Sequence, residues 1–165
     1  MTKTNEKFTL SSYCVEESVG YLLKRSQTKL SKAVDIELTQ YEITSVQGGI
    51  LMMLASGRYS TAAELAREMY IDSASMTRMI DRLEKRGLII RMPRGDDRRI
   101  INLQLTEEGR SLAGRLPACY THVLNQNFAE FTLEEVTTLK TLLRKLLDSP
   151  TASASDTADK QGKSS

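Results

Sequence analysis

Apolar positions recur at a helical period over most of this chain and switch to strict alternation in one place. Val15, Val19, Leu22, Leu23, Leu30 and Val34 fall near a repeat of about 3.6 residues, and Glu16, Lys24, Lys29 and Lys32 take the other faces. That spacing predicts a first helix from about Tyr13 to about Asp35. Thr44 reads as the N-cap of a second helix carrying Val46, Ile50, Leu51, Met53 and Leu54, and Gly57 ends it. Gly48 and Gly49 lie inside that helix, where each costs about 1 kcal/mol against alanine. They allow either close packing or room for a ligand. Thr61 and Glu64 have the spacing of a capping box and open a third helix with Leu65, Ala66 and Met69 inward. After a break at Tyr70 and Ile71, Asp72 or Ser73 caps a fourth helix. Its inner stripe is Met76, Ile80 and Leu83, with Met79 beside them, and Gly87 stops it. Two short helices joined by a tight break form a helix-turn-helix.

Leu88, Ile89 and Ile90 then read as a short strand, and Pro93 to Asp97 carry turn chemistry. Ile101, Leu103 and Leu105 alternate with Asn102 and Gln104, as in a second strand with one buried face. A hairpin directly after a helix-turn-helix is a wing. Thr106 caps a further helix with Glu107 and Glu108 in its first turn. Leu112, Leu116, Val123, Leu124 and Phe128 are its apolar positions, and Pro117 is expected to kink it. Thr132 and Glu135 make another capping box before a helix rich in leucine: Leu133, Val136, Leu139, Leu142, Leu143, Leu146 and Leu147. From Pro150 to Ser165 no aliphatic residue exceeds alanine and no aromatic occurs, the composition of a disordered tail. The fold class is mainly α with a small β-hairpin. The organisation is an N-terminal arm and dimerisation helix (residues 1–39), a winged helix-turn-helix (40–105), C-terminal dimerisation helices (106–149) and a tail (150–165).

Composition narrows the function. No apolar run approaches the roughly 18 residues of a membrane span, and residues 1–10 lack the apolar stretch of a signal peptide. The expected location is the cytoplasm. Two cysteines, Cys14 and Cys119, are too few for a disulfide framework, and one histidine, His122, sits in no metal-ligand spacing. No metal and no cofactor are expected. Catalysis would require a nucleophile with a base, paired carboxylates or a phosphate loop, and Gly48-Gly49 lacks the preceding strand and spacing of the last. The formal net charge is only +2, but its distribution is uneven. Eight basic residues face five acidic ones between Asp72 and Arg99, whereas the flanking stretches are balanced or slightly acidic. Such a localised basic segment is an electrostatic footprint for nucleic acid.

In a helix-turn-helix the second helix enters the major groove with its first residues at the base edges. Here those are Ser73, Ala74, Ser75, Thr77 and Arg78. Small hydroxyl residues allow close approach, and arginine forms a bidentate bond to guanine worth about 1–3 kcal/mol of discrimination. Ser73 taken alone serves equally as a cap. Arg82, one turn on, is placed for phosphate. The wing carries Arg94, Asp97, Arg98 and Arg99. Arginines at a loop tip suit the negative potential of a narrow minor groove, and Asp97 is expected to orient a guanidinium.

The stretch Ser75-Met76-Thr77-Arg78-Met79-Ile80-Asp81-Arg82-Leu83-Glu84-Lys85-Arg86-Gly87-Leu88-Ile89 resembles the MarR-type regulators. Arg91, Asp97-Arg98-Arg99 and Leu105-Thr106-Glu107-Glu108-Gly109 continue the pattern, and the resemblance extends from about Val19 to Leu147. It implies a triangular homodimer on double-stranded DNA, with terminal helices at the dimer interface and the winged lobes on a palindromic operator. It also implies repression, of the protein's own gene and its neighbours, with Thr61 and Ala62 touching phosphate and Arg99 as the wing arginine partnered by Asp97.

Relatives of this type release DNA when a small aromatic or phenolic effector binds between the dimer helices and the winged lobe. The matching region here includes Gly48, Gly49 and Met52. The urate-responsive branch uses a tryptophan, and this chain has none. A peroxide-sensing branch uses a cysteine that aligns with Gly20 rather than Cys14. A redox role of Cys14 or Cys119 and a winged-helix protein-interaction module are the alternatives to effector-controlled DNA release; ordinary packing is the plainer reading of both thiols.

Overall fold

The computed structural model describes residues 7–95, 97 and 99–150 of the chain. The elements are α1 (Val19–Leu38), α2 (Ser45–Ala55), α3 (Ala62–Glu68), α4 (Ser73–Lys85), β1 (Ile89–Pro93), β2 (Ile101–Leu105), α5 (Glu107–Asn127) and α6 (Leu133–Leu147). They fall into two compact units, Met1–Asn127 and Phe128–Ser165.

Most helix starts follow local chemistry. Thr44, Thr61 and Thr132 each close a full capping box, with Gln47, Glu64 and Glu135 reaching back. The Glu64 carboxyl is held below its ordinary range by the backbone N–H groups of Ser60 and Thr61. The first helix is shorter at its start than its apolar stripe suggests. It begins at Val19, because the Ser18 side chain accepts from the Tyr21 N–H and caps it there. Tyr13 and Val15 lie outside the helix and exposed. Capping chemistry outweighed the periodicity.

In the larger unit α5 packs against α1 and α2. Val34, Leu38, Ile50, Leu51, Leu112 and Leu116 are among the buried residues there. Helix α5 runs through Pro117 to Asn127. Leu124 is exposed, and Cys119 takes a buried place instead. Gly48 permits a close crossing: a Cβ there would lie 2.8 Å from the Tyr120 hydroxyl and 3.1 Å from Leu38. Tyr120 donates its hydroxyl to the Ser45 carbonyl at 2.6 Å, and the Asp35 carboxylate accepts the Ser45 N–H at 2.5 Å. The start of α2 is thus fastened to both α1 and α5.

Burial, followed by the Asp35 carboxylate and Cys119, pushes the Tyr120 phenol up to about 12. The folded chain keeps this proton after the unfolded chain has lost it near pH 10. The contribution to stability is therefore complete below about pH 10 and is lost as pH rises through about 12. Denaturant midpoints measured from pH 8 to 12 should fall more steeply for the native protein than for Tyr120→Phe. Parallel profiles would remove Tyr120 as the source.

The hairpin is antiparallel, with Ile89 opposite Leu105, Arg91 opposite Leu103 and Pro93 opposite Ile101. Paired residues share a face. Ile89, Leu103 and Leu105 are buried on it, but Ile101 is 40% exposed, so the apolar face fades toward the tip. Strand β1 begins one residue later than its apolar run, since the Leu88 N–H bonds to Leu83 O and completes the end of α4. Gly87 adopts φ +70° at that stop, a conformation glycine takes without strain. The Leu103 N–H donates to Ser60 O at 2.7 Å and ties β2 to the entry of α3.

The smaller unit holds an edge-to-face pair, Phe128 and Phe131, with centroids 4.9 Å apart, followed by α6. No residue of α6 is buried, and Leu133, Leu142, Leu146 and Leu147 are exposed. The expected disordered tail lies outside the described residues, apart from Pro150.

Candidate nucleic-acid interface

Helices α3 and α4 pack together and α4 packs on β1, so the helix-turn-helix and wing form one assembly. Met76, Ile80 and Leu83 are fully buried on the inner face of α4. This leaves Ser73, Ala74, Thr77, Arg78 and Arg82 exposed, with Ser75 half-buried. Asp72, not Ser73, is the N-cap, and its carboxylate accepts the Ser75 N–H at 2.8 Å. Bonds from Ser75, hydroxyl and backbone, hold the Asp72 carboxyl below its ordinary range. Ser73 is thereby freed from capping. Its carbonyl accepts the Thr77 hydroxyl, and Arg78 donates to the Ser75 hydroxyl at 3.0 Å. Thr61 and Ala62, at the start of α3, are half-buried. Thr61 uses its hydroxyl in the capping box.

The wing differs from its expected wiring. Asp97 accepts the backbone N–H of Arg99 at 3.0 Å, a bond that shapes the turn rather than aiming the guanidinium. An Asx-type bond to a backbone two residues on is geometrically easier in so short a loop. Arg94 and Arg99 are exposed, and Arg98 lies outside the described residues.

Two arginines of the basic stretch are structural, which sequence reasoning missed. Arg86 donates to the carbonyls of Tyr41 and Glu42 and pairs with the Glu42 carboxylate at 3.6 Å. It holds the turn where Glu42 takes φ +54°. Arg91 bridges Asp81, at 2.5 Å, and Glu84. Those two bonds, led by the one to Asp81, raise the Arg91 pKa still further. The available signal was register: Arg91 stands two residues after buried Ile89, on the same strand face, where an apolar residue is the usual choice.

The junction to α5 is the other feature that only packing shows. The Thr106 hydroxyl donates to Gly87 O at 2.6 Å and accepts the Gly109 N–H at 3.0 Å. The Thr106 N–H donates to Leu88 O at 3.1 Å. A Cβ on Gly109 would overlap the Leu88 carbonyl oxygen. The threonine and glycine of the Leu105–Gly109 motif thus weld α5 to the end of α4.

The MarR family model matches residues 43–101, the helix-turn-helix and first part of the wing. The regulator PecS of Dickeya dadantii is 31% identical over 129 residues, covering 75% of this chain and 76% of PecS. The chain belongs to the MarR family. It is a DNA-binding transcription regulator with a winged helix-turn-helix. The repressor NicR of Pseudomonas putida is 28% identical over 137 residues, covering 83% of this chain and 87% of NicR. The structure of a mutant Escherichia coli MarR complexed with operator DNA matches with a TM-score of 0.73 at 26% identity. The match covers 82% of this chain and 99% of that one.

The expected effector residues and thiols are placed as follows. Gly48 is buried against Tyr120, Gly49 and Met52 are half-buried, and a Cβ on Gly49 would meet Met69 at 3.3 Å. Cys119 is buried in α5. Cys14 is exposed and lies before α1 rather than at its start; its thiol donates to Glu16 at 3.3 Å. Among the described residues no group of three or more His, Cys, Asp or Glu could hold a metal ion. No helix among them is long and apolar enough to cross a membrane.

Proposed function

We propose that this MarR-family protein is a repressor that binds a palindromic operator as a homodimer and releases it when a small aromatic or phenolic effector binds. One observation carries the DNA contact: the outer face of α4 presents Arg78 and Arg82, while Asp72 caps the helix and Arg91 engages Asp81 and Glu84. Ser73, Ala74, Ser75, Thr77 and Arg78 read the major groove, and Arg82, Thr61 and Ala62 meet phosphate. Arg94, Asp97, Arg98 and Arg99 place the wing in the adjacent minor groove. Repression is supported by the similarity to the repressor NicR, and an operator by the likeness to the MarR complex.

The dimer is supported by α6, whose Leu133, Leu142, Leu146 and Leu147 are exposed in the single chain. Residues 1–39 and 106–149 form its interface, and residues 40–105 the reading lobe. The effector acts near α2. Because Tyr120 fills the face of Gly48, a ligand there must displace the Tyr120 hydroxyl from Ser45. The position of Cys14 beside a carboxylate and the burial of Cys119 favour an effector over thiol chemistry as the trigger.

The test is a gel-shift titration on the DNA upstream of the protein's own gene, at several salt concentrations, beside a scrambled duplex. Salt-sensitive binding that prefers the native fragment supports the reading. Absence of binding to either duplex at low salt favours a protein-interaction module. In the same assay Arg99→Ala should weaken operator binding with unchanged thermal stability, because Arg99 is an exposed wing residue. An unchanged affinity would remove Arg99 from the interface.

A further inference from the structure

Helix α4 carries an electrostatic conflict. Successive residues advance by about 100° around a helix. Arg78, Arg82 and Lys85 therefore lie within about 60° of one another, on the side opposite buried Met76, Ile80 and Leu83. Asp81 lies only about 40° from the edge of that basic stripe, and Glu84 about 60° beyond Asp81. Both carboxylates are partly exposed. Unpaired, they would repel a phosphate backbone brought to Arg78 and Arg82.

Arg91 resolves the conflict from the wing. It stands on the face of β1 shared with Ile89 and reaches both carboxylates. Its side chain is 32% exposed, against 56% for Asp81 and 37% for Glu84. A planar guanidinium can serve two carboxylates at once; an ammonium offers no such fixed fork. Beyond Leu103 the hairpin has no buried apolar pair, since Ile101 is exposed. The ion triad thus ties α4 to β1 at the register where Arg91 faces Leu103.

We propose that Arg91 is a positioning residue of the DNA interface: it docks β1 on the reading helix and holds Asp81 and Glu84 away from phosphate. This rests on the DNA reading given above. Arg91 itself touches no DNA.

The test compares the full-length protein with Arg91→Ala, Arg91→Lys, Asp81→Asn/Glu84→Gln and the triple variant Arg91→Ala/Asp81→Asn/Glu84→Gln. Operator and scrambled-duplex affinities are measured against salt, with circular dichroism melting as the folding control. Arg91→Ala should weaken operator binding about tenfold, the scale of one charged interaction. Its salt slope should stay within about half a unit of wild type, whereas Arg82→Ala should lower the slope by about one. Arg91→Lys should restore only part of the affinity. The triple variant should recover the electrostatic part of the loss, because the repelling charges are gone. Asp81→Asn/Glu84→Gln should bind scrambled DNA more tightly yet discriminate the operator less, since charge is gained while the wing is released; this variant keeps the test intact if Arg91→Ala fails to fold. Unchanged affinity in Arg91→Ala, or a slope lowered as in Arg82→Ala, would overturn the proposal. Wild-type protein that binds no duplex would instead overturn the DNA reading itself.

Discussion

Gly109→Ala is expected to destabilise the protein by about 3 kcal/mol, the upper range for forced overpacking. The added methyl would overlap the Leu88 carbonyl oxygen and lie 3.0 Å from its carbonyl carbon. That oxygen already accepts the Thr106 N–H, so neither strand nor helix can withdraw without losing bonds. The clash is with backbone, and no rotamer change relieves it. At fixed protein concentration the thermal midpoint should fall by roughly 6–12 °C. Gly114 is the internal control. It lies in the same helix, is exposed, and nothing would meet its Cβ within 4 Å. Gly114→Ala should be neutral or stabilising by up to about 1 kcal/mol through helix propensity. Equal midpoints for the two variants would show that the weld between Leu88 and α5 is looser than its geometry implies.

Deletion from Thr132 onward is expected to turn the proposed dimer into a monomer. Helix α6 has 15 residues and buries none of them. An isolated helix of that length is marginal in water, so it needs an apolar partner surface. Leu142 and Leu146, one turn apart, are 59% and 53% exposed. In the proposed dimer, their burial against a second copy would supply what the single chain lacks. Sedimentation equilibrium should give the dimer mass for the native protein and the monomer mass for the deletion. Leu142→Asp/Leu146→Asp should have the same effect without shortening the chain, and the reading lobe should retain its helical signal. A dimer surviving both changes would move the interface away from α6.

Local sequence determined much of this protein. Capping boxes at Thr44, Thr61 and Thr132 are set by residues three apart, and each forms where that spacing places it. The alternation of Ile101, Leu103 and Leu105 marked the hairpin, and the stripe of Met76, Ile80 and Leu83 marked the buried face of α4. By subtraction, the outward residues of α4 were legible too. Interactions within one turn of helix or one hairpin are encoded by short spacing, so a single sequence suffices to read them.

What tertiary structure decided is which of several similar residues do which task. Arg86, Arg91 and Arg99 are alike in sequence, but only packing assigns one to the Tyr41–Glu42 turn, one to the carboxylates of α4 and one to the open wing. Gly48 and Gly109 are necessary because Tyr120 and Leu88, each distant along the chain, come within contact of them. Asp97 turned to the Arg99 backbone rather than its side chain, and Ser18 cut short a helix whose apolar stripe continued. Each of these outcomes depends on distances between segments that are separated in sequence or on a competition between two local bonds. Hydrophobic period fixes faces, but it carries no information about which charged partner a guanidinium meets across the fold.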